Sequence, residues 1–236
     1  MGKSISAVLP AYNEAENIGK AVRDMVSVFE SLSLDAYEVI VVDDGSTDET
    51  AAICEELARK NAHIRLIRHP KNRGYADALK TGFAAAQHPL VFYTDSDNQF
   101  DVRELKNFLP AIDDYDIVVG FRIYRYDPPF RLVVAWAYNV LVRILFRIKP
   151  RDIDCAFKLF RREVFDRVTI ETHGFFVDAE IMAKARYYGY SMTEIGVRHY
   201  PRQAGRSTIN ARAIGPTLRA LWKIWSQLHL GRKPRP

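Results

Sequence analysis

The chain has 236 residues, 48% of them hydrophobic and 27% charged, with a formal net charge of +5. That allows one substantial α/β domain with its own core, leaves too little for two full ones, and excludes bulk disorder. The modest positive charge selects none of nucleic acid, an anionic membrane surface or a phosphate-bearing substrate; the two cysteines, Cys54 and Cys155, have no metal-ligand spacing and fit a reducing compartment.

The first half alternates strand and helix. Residues 5–9 are a short apolar run ending at Pro10, and 17–32 place Ile18, Val22, Met25, Val26 and Phe29 at helical spacing. Residues 37–42 read as a buried strand that stops at Asp43-Asp44-Gly45-Ser46, after which Ser46 or Thr47 is expected to cap a helix running to Asn61. Strands over 64–68 and 90–94 bracket a helix over 76–87, and the second of them ends in Asp95-Ser96-Asp97. A helix over 105–112 and a strand over 117–119 follow.

The second half is less regular. Residues 131–148 form a strongly apolar helix punctuated by arginines, and strands over 156–160 and 192–197 flank a helix over 178–188. Residues 211–230 are predicted as an amphipathic helix with Leu218, Leu221, Trp222, Trp225 and Leu228 on one face and Arg219 and Lys223 on the other, followed by a basic tail. The longest uncharged apolar stretch, 132–142, lies between Arg131 and Arg143 and falls short of the roughly 18–20 residues a spanning helix needs. The N-terminus lacks the layout of a signal peptide. The expectation is a protein that lies on a membrane without crossing one.

Strands separated by helices imply right-handed crossovers and a doubly wound parallel sheet, in which ligands bind beyond the carboxyl ends of the strands. The polar clusters stand at those ends: Tyr12-Asn13-Glu14, Asp43-Asp44 and Asp95-Ser96-Asp97. Asp95, Asp97 and Gln99 offer hard oxygen ligands of the kind Mg²⁺ or Mn²⁺ takes, with substrate phosphates completing the shell. An isolated Asp-x-Asp is more often a solvated acidic turn. Its place directly after a buried strand, beside a second acidic pair, favours the cation. A phosphoryl-accepting receiver domain would instead need a lone aspartate after the third strand and a lysine after the fifth, a plan these residues do not follow.

Leu9-Pro10-Ala11-Tyr12-Asn13-Glu14, Val41-Val42-Asp43-Asp44-Gly45-Ser46-Thr47-Asp48, Asn72-Arg73-Gly74 and Asp95-Ser96-Asp97 resemble, in order and spacing, the inverting family 2 glycosyltransferases over about residues 4–210. The resemblance implies a GT-A fold: an α/β, Rossmann-like, doubly wound, mostly parallel sheet flanked by helices, with the C-terminal amphipathic helix added. It implies a catalytic domain over 1–210 and, over 211–236, a helix and basic tail that are no independent domain. It also implies that Pro10, Ala11, Tyr12, Glu14, Asp43, Asp44, Asn72, Gly74 and Asp95 hold the nucleotide, and that Asp95, Asp97 and Gln99 hold a Mg²⁺ or Mn²⁺ ion bridging the diphosphate.

Within the family the similarity runs to the dolichyl-phosphate mannose synthase branch. Arg122, Arg131 and Asn139 resemble residues that receive the acceptor phosphate, Asp154-Cys155-Ala156-Phe157-Lys158-Leu159-Phe160-Arg161 resembles a strand motif, and Arg202 with Ser207 resembles a loop that closes over the diphosphate. Asp178 and Glu180 stand where the family has an acidic residue facing the acceptor. A first helical turn also favours acidic residues through the helix dipole. Because a phosphate acceptor is already ionised, these carboxylates are expected to orient substrate more than to take a proton. Gly and Arg are frequent in the family where this chain has Ala156 and Lys158.

The implied reaction is metal-dependent inverting transfer of a hexose, mannose or glucose, from a GDP- or UDP-sugar to a polyprenyl phosphate. The implied setting is the cytoplasmic face of a membrane, with the enzyme held peripherally and a membrane subunit as a further partner. The same-fold alternative is transfer to a glycan hydroxyl in cell-surface polysaccharide synthesis, which would need a true base at Asp178 or Glu180. Nucleic-acid binding lacks any aromatic-basic platform, and a nucleotide-binding module without activity would not need the metal residues.

Overall fold

The structure is a computed structural model. It describes residues 2–126, 129–172, 174, 176–201 and 214–230, without the side chains of 129, 131 and 214–218.

In chain order the elements are β1 (Lys3–Ala11), α1 (Ala15–Ser31), β2 (Leu34–Asp43), α2 (Thr50–Lys60), β3 (Ile64–Arg68), α3 (Tyr75–Ala85) and β4 (Leu90–Thr94). A 3-10 helix (Val102–Asn107) runs into α4 (Phe108–Ala111), followed by β5 (Ile117–Arg122), α5 (Pro129–Phe146), β6 (Phe157–Arg161), α6 (Val164–Arg167), α7 (Val177–Tyr187), β7 (Met192–Val197) and α8 (Ile214–Leu230). They build a seven-stranded sheet in the order β3-β2-β1-β4-β6-β5-β7. The pairs β1–β2, β1–β4, β2–β3 and β5–β7 are parallel, whereas β6 runs antiparallel to both β4 and β5. The sheet is therefore mostly parallel, with one reversed strand, β6, between β4 and β5.

The strands are continuous apolar runs because both faces of the sheet are covered. Alternate residues feed two separate cores. Val8, Ile40, Val91, Tyr93 and Phe160 pack with α3, α5, α7 and α8 on one side. Ile5, Leu9, Val41, Phe92 and Phe157 pack with α1, Cys54 of α2 and Phe108 on the other. Helix α3 comes so close to β1 that a Cβ at Gly82 would stand 2.2 Å from Val8 Cγ1, so only glycine fits there.

Three expectations change. Helix α2 starts at Thr50 without a side-chain cap, not at Ser46 or Thr47, because those hydroxyl residues serve the loop before it. The helix expected over 105–112 is a 3-10 segment followed by one short α-turn. On α8, Leu221 and Ile224 are buried, while Trp222 is 64% exposed and lies off the packed face. Trp225 and Leu228 pack against the core beneath, and Trp222 stacks on Trp225 at 5.2 Å. Thus α8 is seated on the domain's own core, against α5 and α7. Residues 211–213 and the Leu218 side chain lie outside the described residues. Among the described residues no helix is long and apolar enough to cross a membrane.

Candidate active site

The carboxyl ends of β1, β2 and β4 open on one edge of the sheet, and their loops are laced together. Asn13, in a left-handed conformation (φ 54°), donates its backbone N–H to Ser46 Oγ (2.9 Å), and its Oδ1 accepts from Thr47 N (2.8 Å). Glu14 N donates to Thr50 Oγ1 (2.8 Å), and Ala15 N to Asp48 Oδ2 (3.1 Å). Gly45 takes φ 72° with the backbone of Lys71 against it; a Cβ there would meet the Lys71 carbonyl carbon at 2.4 Å. The Pro10 carbonyl accepts from Ser96 Oγ (2.9 Å), and the Ala11 carbonyl from Asp44 N (2.8 Å). Pro10, Ala11, Tyr12 and Glu14 are thereby brought beside Asp43 and Asp44. Glu14 also accepts from Asn17 Nδ2 (2.7 Å), Tyr12 is exposed at the rim, and Asn72 is exposed.

The two aspartates of β2's end are largely occupied. Asp43 Oδ1 accepts from Ser46 N (3.1 Å), and its other oxygen faces Arg68 Nε at 3.3 Å. Asp44 Oδ1 accepts from Arg73 N (2.9 Å) and lies 2.7 Å from His69 Nδ1; Oδ2 accepts from Gly74 N (2.7 Å). His69 is braced in turn by Thr81 Oγ1 at 2.9 Å. A carboxylate has about four acceptor positions, so Asp44 keeps about one for a ligand. Its main work here is to shape the 72–74 turn, where Gly74 adopts φ 97° and starts α3.

Asp95 leaves β4 in partly buried surroundings and accepts from Tyr75 Oη (3.0 Å). Burial first, then the neighbouring charge of Asp97, pushes its carboxyl up to about 7. Asp97 Oδ1 accepts from Gln99 N (3.1 Å), and Asn98 between them is left-handed (φ 59°). Gln99 Nε2 donates to the Tyr200 carbonyl (2.9 Å) while Tyr200 N returns a bond to the Gln99 carbonyl (2.8 Å). The chain beyond β7 is thus tied to the Asp95–Gln99 loop.

The donor set suits a hard divalent cation. Two carboxylates repel across a short loop, and the amide oxygen of Gln99 is left over after its nitrogen is used. Among the described residues no group of three or more His, Cys, Asp and Glu forms a ready cage.

Next to this pair stands a buried ion pair that the sequence reading did not single out. Lys158, 1% exposed on β6, places Nζ 2.6 Å from Asp178 Oδ1, 2.6 Å from the Cys155 carbonyl and 3.0 Å from Tyr93 Oη. Tyr93 Oη also donates to Asp178. The antiparallel course of β6 puts this lysine beside β4, where Tyr93 pairs with it in register. A lysine in the middle of Phe157-Lys158-Leu159-Phe160 was the available signal, since lysine is almost never fully buried unless paired.

Other expected residues are placed differently. Glu180 is fully buried, and its oxygens accept from Glu171 N (2.8 Å), Thr172 N (2.9 Å) and Thr172 Oγ1 (2.7 Å), with Lys184 Nζ at 2.7 Å. It is two residues from Asp178 on α7, and its oxygens secure the 171–172 segment. Asn139 accepts from Ile153 N (2.9 Å) and donates to the Ala135 carbonyl (2.9 Å), holding the turn before β6 instead of facing a phosphate. Arg122 closes its fork on Asp152, with Nε and Nη2 at 2.7 and 2.6 Å. The Arg131 side chain, Arg202 and Ser207 lie outside the described residues.

The family model for glycosyl transferase family 2 matches residues 6–169. The chain is 34% identical to glycosyltransferase AglD of Haloferax volcanii over 98% of its own length and 39% of AglD's. It is 27% identical to dodecaprenyl-phosphate galacturonate synthase of Rhizobium johnstonii over 98% of this chain and 69% of that one. Glucosyl-3-phosphoglycerate synthase from Mycobacterium tuberculosis, solved with Mn²⁺, UDP and glucosyl-3-phosphoglycerate, superposes with a TM-score of 0.69 at 20% identity over 96% of this chain and 80% of that one. The same enzyme with Mg²⁺ and UDP gives a TM-score of 0.68 at 18% identity over 96% and 79%. These likenesses establish the fold, and the family match over most of the chain fixes the class: the protein belongs to glycosyl transferase family 2 and is a glycosyltransferase of GT-A fold.

Proposed function

We propose that the protein transfers a hexose-type sugar from a nucleoside diphosphate sugar to a polyprenyl phosphate at a membrane surface. The observation that carries the reading is the run of groups along one sheet edge: the laced β1–β2 loops, then Asp95 and Asp97, then the Lys158–Asp178 pair, then Arg122.

In this reading Pro10, Ala11, Tyr12, Glu14, Asp43, Asp44, Asn72 and Gly74 hold the nucleoside. Asp95, Asp97 and Gln99 hold a Mg²⁺ or Mn²⁺ ion, which when bound stabilises negative charge on the departing diphosphate. A phosphate oxygen of the acceptor forms a bond to the anomeric carbon as the bond from that carbon to the nucleoside diphosphate breaks, with inversion. The acceptor oxygen is already ionised, so no proton has to leave it. That agrees with an Asp178 engaged by Lys158 and Tyr93, which orients substrate from a fixed position. Arg122 and Arg131 attract the acceptor phosphate, and Arg202 and Ser207 cover the diphosphate. Residues 1–210 form the catalytic unit and 211–236 an attached helix and tail.

The polyprenyl acceptor is supported by the Rhizobium relative, a dodecaprenyl-phosphate galacturonate synthase, and by α5. That helix carries no acidic residue, has Arg143 and Arg147 near its end, and exposes Phe130 (78%), Trp136 (67%), Val133 and Ile144. An apolar surface edged by arginine suits a greasy chain with an anionic head. The test is transfer of labelled sugar from UDP- and GDP-sugars to a short polyprenyl phosphate, with Mn²⁺ or with EDTA. Chelator-sensitive glycolipid from one donor is the expected result; donor hydrolysis without lipid product would move the acceptor to a glycan hydroxyl.

A further inference from the structure

Asp154 lies in the turn before β6, between two ion pairs, Lys158–Asp178 and Arg122–Asp152. The residue is partly accessible, yet its Oδ1 is buried and has no hydrogen-bond partner among the described residues. Buried carboxylate oxygens without partners are rare and call for a specific explanation.

The nearby cations are turned toward other partners. An ammonium has three N–H groups, and the three of Lys158 match Asp178, the Cys155 carbonyl and Tyr93 Oη. Arg122 has turned Nε and Nη2 onto Asp152. Burial first, then the charge of Asp178, pushes the Asp154 carboxyl up to about 7.

Its place in the sheet says what would satisfy it. Along the carboxyl edge the order β2-β1-β4-β6-β5 sets the Asp44 loop, then Asp95, then Asp154, then Arg122. Strands are spaced about 4.8 Å apart. A nucleotide sugar with its nucleoside over β2 and β1 and its phosphates at Asp95 and Asp97 therefore brings its sugar over the start of β6. Asp178 and Asp152 already hold the nearby cations, so a neutral group rich in hydroxyl donors suits the Asp154 oxygen.

We propose that Asp154 is a further substrate-contacting residue whose Oδ1 accepts a hydrogen bond from a hydroxyl of the transferred sugar, making it a determinant of which sugar the enzyme carries. The inference rests on the donor half of the function proposed above and is independent of the acceptor.

The experiment is calorimetric binding, with Mn²⁺, of UDP, GDP and a panel of their sugars (glucose, galactose, galacturonate and N-acetylglucosamine on UDP; mannose on GDP). The wild type is compared with Asp154→Asn and Asp154→Ala. The expected result is that the best-bound donor weakens about 10- to 100-fold in Asp154→Ala, while its sugar-free nucleotide stays within about twofold. A deoxy donor lacking the hydroxyl concerned then binds wild type and variant alike. Should the alanine variant fail to fold, the nearly isosteric asparagine variant carries the test through a changed rank order of epimeric donors. Equal binding of donor by wild type and variants, a parallel loss for donor and nucleotide, or a wild type that binds no donor better than its nucleotide would each overturn the proposal. Absence of transfer to polyprenyl phosphate with these binding results intact overturns only the acceptor assignment.

Discussion

Asp95 and Asp97 face each other across a three-residue loop, and their repulsion is the reason a divalent cation would be welcome between them. In the proposed site, Asp97→Asn would remove one metal ligand without creating a cavity. Transfer is expected to fall about 100- to 1,000-fold, measured at saturating Mn²⁺, with an unchanged melting temperature. Asp154 makes the opposite kind of prediction. Its carboxyl is raised from 3.8 to about 7, so between those values the folded protein holds a proton the unfolded chain has released. Stability must then fall as pH rises through that window. Asp154→Asn cannot ionise and escapes this loss. The variant should match wild type near pH 4 and exceed it at pH 8 by on the order of 4 kcal/mol, read from urea unfolding at both pH values.

Among the elements, α8 separates two uses of one amphipathic helix. Ile224 is fully buried against the core and Trp222 is 64% exposed. Ile224→Ala should cost about 2–5 kcal/mol in denaturant unfolding, whereas Trp222→Ala should stay within about 0.5 kcal/mol. A comparable loss for both would mean the packing described for α8 is wrong. The sequence pattern had grouped Trp222 with Leu221 and Trp225, because a wide apolar arc does not reveal where the neighbour ends. The strands were easier to read: β3, β4 and β7 have the expected bounds, since short apolar runs between polar turns define themselves. The reversal of β6 was not readable, because a buried strand has the same composition in either direction.

For the whole molecule, the exposed α5 face gives a measurable outcome. Wild type is expected to float with liposomes containing anionic lipid, and a Trp136→Glu, Ile144→Glu double variant to stay in the soluble fraction with its melting temperature kept. Flotation by both, or by neither, would remove α5 from the membrane-facing role. The sequence by itself determined the α/β class, the family resemblance and the gathering of Asp43, Asp44, Asp95 and Asp97 at strand ends, because alternating periodicity and the crossover rule place the βα loops of parallel strands on one edge. Only the tertiary structure decided which polar groups remain free. Asp44 is mostly engaged by His69, Arg73 and Gly74, Glu180 by the 171–172 segment, and Arg122 by Asp152, while Asp154 keeps a bare oxygen. These partners lie 8 to 30 residues away in the chain. A sequence names the donors and acceptors; packing alone settles which of them satisfy each other.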